Sequence, residues 1–312
     1  MVLAVALLAA SCLPPRPVLP AVPKHADAIS ALTLNVLHGL PCVDNDYCHA
    51  PDRAEITAQY VEAMGCPDLV GFQEIGFRQP DVFPPAMSAV CGGRYQLAWP
   101  GVAGVDRTMI FTTLPILDQG AVDLAAFPWE AYWVRVDAPM GPVDFLTTHF
   151  ASSSNNPICP AQNCPPVCPD GIRANQCNAL EVVQLLDAQR AGAVMQIVSG
   201  DLNARPDSPT YDELRQAGFV DTWLAARRPE CKPQNGHGCT SGRDRPENDV
   251  DGMDAPTGHY TSRIDYILTR PATGCSLRAN AKPVAATPLQ EPFNGLYWPS
   301  DHAGVWAKIS CR

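Results

Sequence analysis

Residues 198–208 read VSGDLNARPDS. The run leading into them, VMQIVSG (194–200), is short and apolar, the pattern of a strand buried on both faces. Buried strands end where polar groups can reach water or a ligand. Asp201 and Asn203 arrive there two positions apart, and in extended backbone positions i and i+2 face the same side. A carboxylate and an amide are thus presented together, while Leu202 between them turns to the core. The next segment, PDSPTYDELRQAG, reads as a helix, so an Asx turn or a helix cap is the plainer use of the same two residues.

Other apolar runs close in the same way. SALTLNVL (30–37) carries Asn35, and DLVGFQE (68–74) ends on Glu74. PVDFLTTHF (142–150) carries His149 near its end, and SRIDYILT (262–269) is interrupted by Asp265. Asp301 and His302 come just before the final run, AGVWAKI. RYQLAW (94–99), TMIFTT (108–113) and YWVRVDA (132–138) complete the β-rich set. Two stretches read as helices, 52–65 and 171–192, each stopped by a glycine; the second is expected to turn Cys177, Leu180, Val183 and Asp187 to one face. Strands interleaved with a few helices imply two packed sheets with helices outside. One polar strand end is ordinarily a turn or a cap. A series of them along one chain points to a shared site.

These stretches, LTLNVL, GFQEI, TTHF, SGDLNARPDS, RIDYIL and SDHAGV, resemble the endonuclease/exonuclease/phosphatase superfamily in content and order, across roughly residues 30–309. The superfamily includes DNase I, apurinic endonucleases, inositol-polyphosphate 5-phosphatases and neutral sphingomyelinases. The resemblance implies a four-layer α/β sandwich, with two mixed sheets face to face and helices outside. It also implies phosphoester hydrolysis dependent on a divalent metal, Mg²⁺ or Mn²⁺, with Ca²⁺ as an alternative structural ion. Phosphate diesters repel hydroxide, so charge must be neutralised and water positioned. Hard cations prefer oxygen ligands, which suits Glu74, Asn35 and Asp301 as metal contacts. His302 is the expected general base, since histidine titrates near neutrality, with Asp265 orienting it. Asp201 is expected to hold the attacking water or a second metal. Asn203, His149 and Arg173 are expected on the substrate phosphate, with service to the leaving group as the alternative for His149. The acid that would orient His149 is sought at Asp106 in GVDRTMIF. Gln176 lies near Arg173 and reads as part of a solvated helix face. His38, His49, His237 and His259 lack matching context and read as surface residues.

Composition narrows the surroundings. The chain of 312 residues has 22 basic and 32 acidic side chains, a net charge of −10. That balance disfavours a partner held mainly through a polyanionic backbone. MVLAVALLAASC resembles the apolar part of a secretory signal, too short to span a bilayer, and LAASC resembles a lipoprotein box ending at Cys12. Residues 1–27 are therefore expected to be a leader and a proline-rich tether, with the catalytic domain at 28–312. The expected location is secreted, periplasmic or lipid-anchored at Cys12. Thirteen cysteines, twelve without Cys12, favour disulfides over a zinc site at CPAQNCPPVC (159–168). Cys42–Cys48 and Cys231–Cys239 are the local pairs considered.

A phospholipid phosphodiester such as sphingomyelin is the substrate this reading favours. Nucleic acid is the alternative, and an inositol-phosphate-type phosphatase or an inactive scaffold stand behind it. Membrane contact would fall to FPWEAYW (127–133) or FNGLYWP (293–299), although aromatic clusters more often pack a core. The protein is expected to be a monomer.

Overall fold

Two six-stranded sheets organise the chain. In the first, β1 (Ala28–Asn35) lies between β12 (Gly304–Cys311) and β2 (Leu69–Ile75). β11 (Leu277–Val284) flanks β12, and β4 (Arg107–Thr112) and β3 (Gln96–Ala98) follow β2. The second runs β5 (Ile116–Asp123), β6 (Glu130–Ala138), β7 (Gly141–His149), β8 (Met195–Asp201), β10 (Asp265–Pro271) and β9 (Val220–Asp221). Both are mixed: β1–β2 and β7–β8 are parallel, and the remaining pairs antiparallel. The computed structural model describes residues 28–38, 46–98, 107–125, 130–152, 155–159, 164–243 and 252–311. Residues 1–27, expected as a leader and tether and including Cys12, lie outside them, as do Cys42 and Asp106.

Period-2 alternation assigns each strand two faces. Ile29 and Ala31 of β1 join Ile110, Val305 and Ala307 against Val134, Phe145, Ile197 and Ile267 of the second sheet, forming the inner core. On the outer face, Leu32, Leu34, Val70 and Phe72 meet Ala54, Val61, Phe83 and Met87 of α1 (Ala50–Ala63) and α2 (Gln79–Ala89). Beyond the second sheet, Leu146, Val198 and Leu268 meet Val182, Leu186 and Leu214 of α3 (Ala174–Gln189) and α4 (Pro209–Gln216). The result is four layers, as the family resemblance implies.

Three features depart from the sequence pattern. α2 contains Pro84 and Pro85, and such residues cost about 3 kcal/mol each in a helix interior; burial of Phe83 and Met87 against the first sheet overrides them. The edge strand β5 alternates around polar residues and carries no apolar run to announce it. The buried face of α3 is Ala174, Asn178, Val182 and Leu186 rather than the face through Leu180, Val183 and Asp187; Cys177 is buried, but Asp187 is exposed and pairs with Arg270 at 2.8 Å.

Five disulfides join described residues: Cys66–Cys91, Cys159–Cys164, Cys168–Cys177, Cys231–Cys239 and Cys275–Cys311. The cysteines of 159–168 are therefore committed to sulfur–sulfur bonds and not to zinc. Of the aromatic segments, Trp298 is fully buried edge-on to Tyr260, and Leu296 is buried with it. That part of 293–299 packs a core. In the other segment Tyr132 is buried, and residues 127–129 lie outside the described residues.

Candidate active site

Strand register assembles one half of the site. In the second sheet His149 of β7 is opposite Asp201 of β8, and Asp201 is opposite Asp265 of β10. Three strand ends thus place their polar residues in one row. Gly200 lets the strands close: a Cβ there would lie 1.9 Å from the carbonyl oxygen of Thr148, and its φ of +139° is one that side chains resist. Past the strand end, the Asn203 amide N–H donates to Asp201 Oδ1 at 2.8 Å. The stretch is therefore both an Asx turn and a site. The Asn203 side-chain nitrogen sits 2.9 Å from His149 Nε2 and donates to the Phe150 carbonyl at 3.0 Å, while Leu202 is fully buried.

The first sheet supplies the other half. Between Phe72 and Ile75 the pairing of β2 with β4 shifts register, and Glu74 takes a φ of +60°. Such a bulge re-aims a side chain. Asn35 Nδ2 donates to Glu74 Oε1 at 2.8 Å and to Asp201 Oδ2 at 3.2 Å, so one amide bridges carboxylates from both sheets. Its oxygen accepts the Leu37 N–H at 3.0 Å. Asn35 holds the carboxylates in this arrangement, and the amide would have to turn over to offer a cation its oxygen.

His302 completes the row. Its Nδ1 lies 3.1 and 3.3 Å from the two Asp265 oxygens, and its Nε2 lies 3.7 Å from Asp201 Oδ2. Ser300 fixes the loop, donating to the Asn35 carbonyl at 2.6 Å and accepting the His302 N–H at 3.2 Å. Asp301, buried beside it, lies within hydrogen-bond distance of Ser300 Oγ at 3.3 Å.

Electrostatics follow from burial. Burial and the charge of Asp265 push the Asp201 carboxyl up to about 6, against the lowering pull of His302 and His149. Burial works to lower His302, but Asp265, Asp201 and Asp301 outweigh it and hold the imidazole well above its ordinary value. Two buried acids facing each other want a cation between or beside them. Ligand atoms of Asp201, Asp265 and His302 lie within 4.8 Å of one another. With Glu74 bridged to Asp201 through Asn35, the carboxylate oxygens of Glu74, Asp201 and Asp265 dominate the donor set, beside one imidazole nitrogen, and it fits a divalent cation.

Arg173 stands apart from this set. It is exposed at the start of α3, and Nη1 donates to the Asn156 carbonyl at 3.2 Å. Gln176 is half-buried and donates to Glu213 at 2.8 Å, so it is not simply a solvated face. His38 belongs to the site although the sequence reading set it aside. Its amide donates to Glu74 Oε2 at 3.0 Å, and its ring Nε2 lies 3.5 Å from the same oxygen. Its place three residues after Asn35 was the available signal. Arg53, fully buried on α1, was also missed. Its guanidinium donates to the carbonyls of Val36, Leu37, Tyr47, Cys48 and Pro299, tying together the loops that carry His38 and Asp301.

The sequence model of the endonuclease/exonuclease/phosphatase family matches residues 32–302, a span that contains every one of these strand-end residues. The chain belongs to this family. Its members are phosphoester hydrolases that use divalent metals. No curated protein matches the chain in sequence. Solved structures agree on the fold. TDP2 from C. elegans superposes with a TM-score of 0.60 at 15% identity, covering 91% of this chain and 75% of that one. D. rerio TDP2, complexed with single-strand DNA product, gives 0.59 at 17% identity over 91% and 99%. A mannosyl-6-phosphatase from Bacteroides thetaiotaomicron gives 0.62 at 16% identity over 90% and 99%.

Proposed function

We propose that this protein is an exported, Mg²⁺- or Mn²⁺-dependent phosphodiesterase acting on a phospholipid, with His302 as its general base. The observation that carries this reading is the hydrogen bond of His302 Nδ1 to buried Asp265, which leaves Nε2 directed at Asp201. In the neutral imidazole, that bond keeps the proton on Nδ1 and the lone pair on Nε2. A water held by Asp201 gives its proton to Nε2 as its oxygen attacks phosphorus. The phosphorus–oxygen bond to the leaving alcohol breaks on the opposite side, and the departing oxygen takes a proton from solvent, to which His302 then returns the one it received. Asn203 and His149 supply donors to the phosphate oxygens. A divalent cation held by Glu74, Asp201 and Asp301 would neutralise phosphate charge and make water more acidic. Asn35 and His38 keep Glu74 in place for it.

Five disulfides support an exported setting. The net charge of −10 favours a phospholipid such as sphingomyelin over a polyanion. The second reading, a nuclease, is favoured by the likeness to TDP2 in complex with a DNA product. Purified protein should be offered sphingomyelin vesicles, phosphatidylinositol vesicles and plasmid DNA, with and without Mg²⁺, beside His302→Ala. Lipid cleavage requiring both Mg²⁺ and His302 is expected. DNA nicking with those requirements would replace the lipid reading, and metal-independent cleavage would refute the mechanism.

A further inference from the structure

Residues 239–243, CTSGR, lie outside the named strands yet reach the catalytic row. The Cys231–Cys239 disulfide anchors the first of them. At the other end Arg243 is buried, with its guanidinium 4.3 Å from the centre of the Trp298 ring. Thr240 is buried between, and each of its polar atoms is engaged. Its N–H donates to the Ser262 carbonyl at 2.7 Å, and its carbonyl accepts the Ala303 N–H at 2.8 Å. Its hydroxyl oxygen accepts the amides of Ile264 and Asp265 at 3.1 and 3.2 Å. One residue thus fastens the start of β10 to the chain just past His302. Ser241 follows it, and its backbone exchanges hydrogen bonds with Ser262 at 2.9 and 3.0 Å.

The Ser241 hydroxyl takes no part in this fastening. Its oxygen lies 3.4 Å from His302 Nε2, and among the described residues it has no other hydrogen-bond partner. Nor does it hold the imidazole. Asp265 does that at Nδ1 from 3.1 Å, and Ser300 accepts the His302 amide. A rigid backbone therefore delivers a hydroxyl to the reacting nitrogen without a structural duty.

Two oxygens flank Nε2, Ser241 Oγ at 3.4 Å and Asp201 Oδ2 at 3.7 Å. Both lie beyond the about 2.7–3.2 Å of a full-strength bond to nitrogen. Polar contacts of this length are where a bridging water belongs. A water seated there gives one hydrogen to Nε2 and the other to Asp201, and accepts the Ser241 O–H on one lone pair. Its second lone pair is left for phosphorus, and fixing the rest of its bonds is what orients the attack. Once the proton is on Nε2, the hydroxyl turns and accepts the Nε2–H. Ser241 keeps its own hydrogen throughout. Threonine could do the same, and alanine could not.

We propose that Ser241 is a further catalytic residue, the hydroxyl that orients the attacking water on His302 Nε2 and then accepts the Nε2–H. This rests on His302 acting as general base in a phosphodiesterase.

The full chain with Mg²⁺ is assayed on bis(p-nitrophenyl) phosphate as wild type, Ser241→Ala, Ser241→Thr, His302→Ala and the Ser241→Ala/His302→Ala double variant. Circular dichroism and a thermal melt establish folding of each. Ser241→Ala is expected to lower kcat by about tenfold to a hundredfold with KM little changed, the scale of one hydrogen bond to a charged group. Ser241→Thr should recover most of that loss. In the His302→Ala background the same alanine should cost less than about twofold, because the base on which the water is oriented is gone. Equal losses in the two backgrounds, which a merely structural role would give, would overturn the assignment, as would a folded Ser241→Thr as slow as Ser241→Ala. Wild-type turnover that needs Mg²⁺ and His302, with Ser241→Ala at full rate, would refute the role of Ser241 and leave the phosphodiesterase standing. A wild type without turnover, or turnover that His302→Ala keeps, would refute the phosphodiesterase mechanism and the role of Ser241 with it.

Discussion

Asp265→Asn removes one charge and almost no volume from the centre of the site. Asp265 is fully buried and touches His302 Nδ1 with both oxygens, at 3.1 and 3.3 Å. Its backbone N–H is held separately by Thr240 Oγ1 at 3.2 Å, so the strand end keeps its place. An asparagine there can present its NH₂ to Nδ1, which moves the imidazole proton to Nε2 and leaves no lone pair to accept from water. General-base contributions run from about 10² to 10⁴. Loss of nearly all of it puts the expected fall in kcat near 10³-fold, about 4 kcal/mol of transition-state stabilisation. A second signature is independent of the rate. Among the charges that outweigh burial at His302, Asp265 is the largest, so without it the imidazole pKa drops. The acid limb of the residual pH–rate profile should then move to lower pH. The assay is kcat against pH on bis(p-nitrophenyl) phosphate, with circular dichroism and a thermal melt to establish folding. A folded Asp265→Asn protein within tenfold of wild type, or an acid limb that stays put, would refute the pairing of His302 with Asp265.

Glu74→Ala should lose most of the thermal stabilisation conferred by Mg²⁺ or Mn²⁺, which for wild type at a hundred times Kd is about 2.7 kcal/mol; an equal shift in both proteins would remove Glu74 from the metal site. Arg53→Met leaves several carbonyls of the loops after β1 and before α1 without their donor, so urea unfolding should show a loss of about 3–5 kcal/mol, and a loss below about 1 kcal/mol would show that those loops hold without it. Burial works to raise Glu230, but the hydrogen bonds and charge of Arg263 hold it below the ordinary 4.5. A depressed carboxyl contributes stability above its unfolded value and loses it as pH falls through the lower folded value. Between about pH 5 and 3 wild type should therefore lose melting temperature more steeply than Glu230→Gln, and parallel curves would mean the pair contributes nothing.

Short-range rules were enough to find most of the catalytic set. An apolar run with a polar residue at its end is a local pattern, and it marked Asn35, Glu74, His149, Asp201, Asp265 and His302 before any pairing was known. Two packed sheets with helices outside followed from strands interleaved with helices, and the disulfides followed from an even set of cysteines beside an apolar N-terminal run. Tertiary structure decided what local pattern cannot carry. Whether His149, Asp201 and Asp265 stand in one row depends on register across three strands distant in sequence. The aim of Glu74 depends on a bulge, and the membership of His38 depends on the bulge bringing Glu74 to its amide. α2 forms across two prolines because a sheet waits to bury Phe83 and Met87. Arg173 was expected on the phosphate yet donates to a loop carbonyl, while Arg205, inside SGDLNARPDS but given no role there, lines a cavity. Sequence fixes which groups end a strand. Long-range pairing and burial fix which of those groups meet, because the energy that holds them together comes from residues far away along the chain.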